Sequence, residues 1–447
     1  MTITSGNIME RHDMRKLNVC QFGADMTGRK TSTKAIQEAI DQCPPGGCVV
    51  VPEGLYISGA LFLKSDMTFY LEKGAVLKGS DNTEEFPIRM YRWEGRETAC
   101  YSSLINAGID PYQAENAGGG EDEYSIRNLT IGGEGTIDAN GVALFEKEMA
   151  EKKGARGRAV CVRNGTEVSI HGVTIRQSPA WCLHLIHCQK VKIDHVKIHT
   201  KYDEMGSRYR GIFNGDGIDC DSCEDVSITN SLIASQDDCI AIKSGRDAEG
   251  RAAAMKSENI CISDCRFESG FGVAIGSEMS GGVRNVTVKR CVFHNTFSIG
   301  SVKTCRGRGG VIENILFEDV ELYNRDSEHK DCKWFRGGIY VDSYYSNDKI
   351  SKEPVPVSEE TPVIRNIVFR NARVDTCGGN AIYISGLPEM HCENIVLENI
   401  TAVGKYGMKV YFTDRLRMKN VSVTAQEGEA YLFEETEMTE EISGEWG

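Results

Sequence analysis

A short phrase recurs along the latter half of this chain, and it narrows the possible folds more than any other feature. Each copy opens on asparagine and alternates branched apolar with polar residues: NICISDCRF from Asn259, NVTVKRCVF from Asn285, NILFEDVEL from Asn314, NIVFRNARV from Asn366, NIVLENITA from Asn394 and NVSVTAQEG from Asn420. The starts lie 26, 29, 52, 28 and 26 residues apart, and EVSIHGVTI at Glu167, KVKIDHVKI at Lys190 and DVSITNSLI at Asp225 carry the series upstream. Alternation with period two marks strands, and recurrence every ~20–50 residues marks stacked units. One unit cannot bury its inward Ile, Val, Leu and Phe alone, whereas stacked coils share backbone hydrogen bonds and a continuous apolar interior. The pattern predicts an all-β, single-domain right-handed parallel β-helix.

The recurrent asparagines belong at the bends, where their side chains can bond the backbone and one another in a ladder. Forty-seven glycines suit several turns per coil. Within one domain over 1–447, the reading places a cap and first coils at 16–80, main coils at 125–433 and a solvated acidic tail at 434–447. In TSTKAIQEAIDQCP, Ala35, Ile36, Ala39 and Ile40 have helical spacing, which predicts a short amino-terminal capping helix. The long intervals after Ile193, after Gly245 and between Val320 and Ile364 are expected to project as loops from the coil edges, where clefts are built.

Composition removes several function classes. A net charge of −14 with dispersed Lys and Arg argues against a nucleic-acid partner. No apolar run is long enough to cross a bilayer, and MTITSGNIMERHDMRK lacks a signal-peptide core, so the expectation is a cytoplasmic protein without membrane partners unless a leader was removed. Seventeen cysteines, an odd number scattered through apolar stretches, read as reduced buried thiols. Cys220 and Cys223 form the one C-x-x-C, without a second pair at zinc spacing.

Against this acidic background, NGDGIDC at 214–220 and QDDCIAIKSG at 236–245 set Asp216, Asp237 and Asp238 close together. Asp216 and Asp237 are 21 residues apart, about one coil, which places them on neighbouring rungs ~5 Å apart. Turn chemistry accounts for Asn-Gly-Asp-Gly taken alone, and a cation is the other rival, although the D-x-[DN]-x-[DN]-G calcium loop is absent. Carboxylates on adjacent rungs can also divide labour, one protonated as acid and the others ionised to activate water, as glycoside hydrolysis requires. We expect neither metal nor other cofactor.

Ordered segments carry a family resemblance over nearly the whole length: NVCQFGADMTGRKTSTKAIQEAID, GGCVVVPEGLYISGALFLKSDMTFYLEKGAVLKGS, YRWEGRE, GEGTIDANG, SPAWCLHLIHC, NGDGIDCDSC, QDDCIAIKSGRDAEG, IGSEMSGGVRNV and RGRGG. The chain resembles glycoside hydrolase family 28, the pectin-degrading polygalacturonases, which implies a pectin-lyase-like solenoid and an inverting hydrolase. By this resemblance Asp237 is the general acid, and Asp216 with Asp238 holds and deprotonates the water. Asn214 opens the family's Asn-Thr-Asp motif, with Gly215 in place of threonine.

Two departures bear on specificity. The family's Gly-His-Gly reads Gly270-Phe271-Gly272, and its Arg-Ile-Lys reads Ser301-Val302-Lys303, so Lys303 remains while the bidentate arginine is lost. Lys243, Arg246, Arg306 and Arg308 are the candidates to compensate. IKSGRD, GSEMSGG, RWEG and SGLPEM resemble the exo-acting bacterial members, which implies a closed pocket for pectic oligosaccharides. Segments 201–213 and 320–362 are expected to wall it, with Trp93, Glu94 and His184 as sugar contacts. Oligomeric state stays open. A rhamnogalacturonan-type or other α-glycosidase, a calcium-dependent lyase and a non-catalytic carbohydrate-binding β-helix remain the rival readings.

Overall fold

The computed structural model describes residues 15–109, 125–201, 211–325, 336–345 and 350–439. It is a right-handed parallel β-helix. Among the described residues, 32 strands join one continuous sheet, and a separate antiparallel hairpin pairs Ile88–Trp93 with Arg96–Tyr101. A typical coil carries three short strands: Ile218–Asp221, Glu224–Thr229 and Leu232–Ala234 stack on Ile240–Lys243, Ser257–Ser263 and Arg266–Ser269 of the next coil. Farther along, the second and third strands run together as Val283–His294, Val311–Asn324 and Val363–Thr376.

Period two explains the interior. Cys220, Ile242, Ile275, Val302, Val341 and Ile384 occupy one inward row in strict cross-coil register. Phe267 stacks on Phe293 at 4.6 Å and Phe317 on Phe369 at 4.9 Å. Gly300 is demanded by this packing, because a Cβ there would lie 2.3 Å from the Phe317 ring. The sixteen described cysteines are unbridged, with Cys220 and Cys223 buried in the apolar interior.

The asparagine ladder forms at a bend where each residue takes positive φ. Asn285 donates to Asn259, Asn314 to Asn285, Asn366 to Asn314 and Asn394 to Asn366, at 2.7–3.1 Å. Asn420 departs from the expected register: it donates to Asn399 at 2.9 Å, on a second ladder that continues through Asn371 to Asp319. Both bends require a left-handed residue, so the last phrase, aligned by its asparagine alone, falls on the neighbouring corner.

The capping helix spans Thr33–Gln42 and buries Ile36, Ala39 and Ile40 against the first coils. The acidic tail begins as the last strand of the solenoid, with Glu435, Glu437 and Met438 exposed. Tyr431–Met438 is a strand on Tyr406–Ala425, since backbone pairing on the last coil outweighs the local charge. Residues 440–447 lie outside the described residues, as do 202–210, 326–335 and 346–349 of the two expected walls. Within 320–362, Gly337–Asp342 is a coil strand rather than part of a projecting loop.

Candidate active site

The first strands of successive coils form the sheet that carries the site. Along its outer face, Asp219, Ala241, Ala274, Ser301 and Tyr340 are in register, and Lys303 pairs with Asp342 two residues farther along the same face. Asp216 and the Asp237–Asp238 pair occupy the turns entering Ile218–Asp221 and Ile240–Lys243, so stacking two coils brings the three carboxylates together. One carboxylate oxygen from each lies within 4.8 Å of the others. Gly215 fits its place because Gln236 and Thr200 pack against it, and a Cβ would meet them at 3.0 and 3.2 Å.

Two lysines compensate the charge. Lys303 Nζ donates to Asp238 Oδ2 at 2.7 Å. Lys243 Nζ lies 2.8 Å from Asp219, 3.6 Å from Asp216 and 3.9 Å from Glu278, and 3.8 Å above the Trp181 ring. Burial works against both ammonium ions, and the surrounding carboxylates keep them protonated. Asp216 Oδ1 and Asp238 Oδ1 are buried and accept no hydrogen bond from the described residues. Burial, then Asp219 and Asp237, raises Asp216 well above the usual carboxylate range. Burial and the Asp238 charge push Asp237 up to about 6. Repelling carboxyls of this kind hold protons jointly, so the cluster as a whole keeps a proton into weakly acidic solution.

A cleft over this sheet divides into two compartments of about 220 Å³ each. One is charged and contains Asp216, Asp238, Lys243, Arg246, Arg308, Glu94 and the edge of Trp181. The other is lined by Phe271, Ser298, Ser301 and Tyr340. Asn214, Asp237, Lys303 and Tyr345 belong to both, so the compartments meet at Asp237. Arg156 fixes Asn214 by donating to its Oδ1 at 2.9 Å and to Phe213 O at 2.8 Å.

The hairpin closes the cleft toward the earlier coils. Arg92 reaches Asp221 Oδ1 at 3.0 Å, Ser222 Oγ at 3.1 Å and His187 Nε2 at 3.1 Å. Burial pushes Asp221 up, but Arg92 and the histidines hold it below its usual range. At the hairpin tip Glu94 pairs with Arg246 at 2.9 Å, and Gly95 O accepts from Arg246 N at 3.2 Å. Glu94 therefore lines the charged compartment.

Trp93 and His184 do not line either compartment. Trp93 stacks on Trp181 at 4.9 Å, and the Arg158 guanidinium lies 5.2 Å from its ring. His184 is fully buried below Trp181, edge-on at 4.9 Å, with its imidazole pushed down to about 3 by burial. Fully buried His184 packs against Trp181 and cannot reach a sugar, while half-buried Trp93 covers one face of the Trp181 ring outside both compartments. Of the four candidate cations, Lys243, Arg246 and Arg308 line the charged compartment, while Arg306 is committed to Glu389 at 2.6 and 2.7 Å. Sequence reasoning missed Trp181, Glu278, Tyr340 and Tyr345. Trp181 stood inside SPAWCLHLIHC, and the outward positions of the strand after Lys303 would have indicated Tyr340.

The donors of the carboxylate cluster could ligate a cation, but the two lysine ammonium groups already supply its counter-charge. An acid shared by two ring-sized compartments, with two further carboxylates on one side only, is the equipment of a hydrolase acting on a glycosidic bond. The comparisons define it further: residues 122–425 match Glycosyl hydrolases family 28, and the chain belongs to that family of glycoside hydrolases. It is 27% identical to a probable polygalacturonase of Vitis vinifera over 86% of this chain and 73% of that protein. It is 28% identical to an exo-poly-alpha-D-galacturonosidase of Dickeya chrysanthemi over 69% of this chain and 55% of that longer protein. The solved exopolygalacturonase of Thermotoga maritima superposes with a TM-score of 0.73 at 28% identity, covering 91% of both chains.

Proposed function

We propose that this hydrolase removes single galacturonate residues from the non-reducing end of pectic oligosaccharides, with inversion at the anomeric carbon. The position of Asp237 carries this reading. Water attacks the anomeric carbon of the sugar whose bond is broken, so the carboxylates that hold the water mark that sugar's place. Asp216 and Asp238 are confined to the charged compartment, and Asp237 alone of the three also borders the other. The unpartnered Oδ1 atoms of Asp216 and Asp238 are suited to accept hydrogen bonds from the water.

In the proposed step the water oxygen bonds to the anomeric carbon as the carbon–oxygen bond to the leaving sugar breaks. Asp237 gives its proton to the departing oxygen, and the Asp216–Asp238 pair takes one from the water. The separation within 4.8 Å is shorter than the ~6.5–9.5 Å of a two-residue inverting pair, and distance alone would favour retention. Direct attack by a carboxylate is disfavoured here because Lys303 holds Asp238 Oδ2 and Lys243 lies 3.6 Å from Asp216 Oδ2. The Glu94–Arg246 closure leaves room for one ring beyond Asp237, which supports exo action. Arg246 lines the charged compartment, where it pairs with Glu94 at 2.9 Å and lies 3.4 Å from Asp247, and its guanidinium suits a uronate carboxylate that shares these contacts. The reduced thiols and the small pocket support action on short oligosaccharides inside the cell.

Incubation with oligogalacturonides and galacturonate–rhamnose oligosaccharides, read by mass spectrometry and proton NMR, tests the reading. Release of monomeric galacturonate with initial formation of the inverted anomer is expected. Internal cleavage would refute exo action, initial formation of the retained anomer would refute inversion, and unsaturated products would indicate a lyase.

A further inference from the structure

We infer that the compartment beyond Asp237 is a specificity site for a neutral leaving sugar with an apolar face, a deoxyhexose in place of a second uronate. The inference rests on the proposed galacturonate-releasing activity and assigns the other half of the substrate. Three observations carry it. Phe271 presents an aromatic wall stacked at 4.3 Å and 7° on Phe297, and Tyr340 and Tyr345 add aromatic surface, which suits the C–H face of a sugar. Ser301 Oγ is buried in this lining without a hydrogen-bond partner among the described residues, so it can serve a sugar hydroxyl.

Charge supplies the third observation. Lys303 is the one cation lining this compartment among the described residues, and Asp238 already holds it at 2.7 Å. Arg336, immediately before the strand that carries Tyr340, lies 3.3 Å from Asp342 and donates to Tyr383 Oη at 3.1 Å. A second uronate would bring its carboxylate beside Asp237 with no bidentate partner in the lining, whereas a neutral sugar avoids that repulsion.

The test compares kcat/KM for a disaccharide of galacturonate linked to rhamnose with that for digalacturonate, using p-nitrophenyl α-D-galacturonide, whose activated leaving group is not a sugar, as the report on galacturonate recognition. The mixed disaccharide is expected to be favoured at least about tenfold. Equal or better cleavage of digalacturonate overturns the inference. Cleavage of the nitrophenyl substrate without either disaccharide also overturns it, while leaving galacturonate recognition intact. Failure on all three substrates removes the galacturonate reading and this inference together. Ser301→Arg, with folding checked by circular dichroism, is expected to move the ratio toward digalacturonate by about tenfold. Phe271→His, a smaller change in the same wall, is expected to move it in the same direction. An unmoved ratio in both folded variants would show that these residues do not select the leaving sugar.

Discussion

Asp237→Asn is expected to abolish turnover and, at neutral pH, to make the protein more stable. Burial and Asp238 raise the Asp237 carboxyl from its ordinary 3.8 to about 6. A carboxyl with a raised folded pKa contributes stability below the unfolded value, and the contribution is lost as pH rises through the folded one. Above pH 6 the native protein therefore carries an ionised group that the fold disfavours. Two pKa units at ~1.4 kcal/mol each set an upper bound of ~3 kcal/mol, and partial exposure and sharing of protons within the cluster lower the expected gain to ~1–3 kcal/mol. Asparagine keeps the shape and carries no charge. For 447 residues the unfolding entropy is ~0.9 kcal/mol/K, so Tm at pH 8 should rise by ~1–3 °C. Thermal scans at pH 4 and pH 8 supply the assay, with the gain at pH 8 shrinking toward zero at pH 4. Turnover should fall ~10²–10⁴-fold, the usual contribution of a general acid. A gain of the same size at both pH values, or none at pH 8, would refute the account of why Asp237 holds its proton. Full turnover in the variant would refute its role as acid.

The alkaline limb of kcat/KM is expected near pH 6, as the Asp237 cluster loses the proton it must donate, and a rate still rising between pH 6 and 8 would contradict this assignment. Lys303→Met leaves Asp238 buried without its counter-charge, a change that typically costs ~3–5 kcal/mol. Denaturant unfolding at pH 8 reads the loss, and an unchanged midpoint would refute it. Chelator should leave the rate unchanged and calcium should not raise Tm, because lysines neutralise the cluster; chelator-sensitive cleavage would move the reading toward a lyase.

The parts of the fold legible in the sequence are those set by local repetition. Period-two alternation fixed which residues face inward, and the 21-residue step from Asp216 to Asp237 placed the carboxylates on neighbouring coils. Asn259 through Asn394 announced their ladder, but Asn420 misled because two corners accept the same left-handed residue. What was not legible depends on contacts between distant segments. Arg92 meets its partner Asp221 129 residues later, and Glu94 meets Arg246 152 residues later, so nothing local shows that 88–101 folds over the site. Trp93 and His184 stand in motifs around the site, yet their burial depends on that hairpin and on Trp181. The division into two compartments is likewise a property of stacked coils, with Phe271, Ser301 and Tyr340 coming from three successive rungs.

The hairpin's strands pair with each other and, through one bridge, Cys100 with Ala155, while the long parallel sheet continues past them from Ile105–Ala107 directly onto Leu61–Leu63. The sheet therefore passes its register from coil to coil without using the segment that sets the reach of the pocket. Under the proposed exo action, chemistry is written in the turns that enter the coil strands, and chain-end selection in a flap inserted between two of them and tied to the site through Arg92 and Asp221. On such a scaffold, lengthening, shortening or replacing 88–101 changes how much polymer can lie across the aspartates while the backbone hydrogen bonds that position them remain. In the proposed reading, passing from trimming ends to cutting chains means rebuilding this one flap together with a new partner for Asp221, while the aspartates of the coil turns stay as they are.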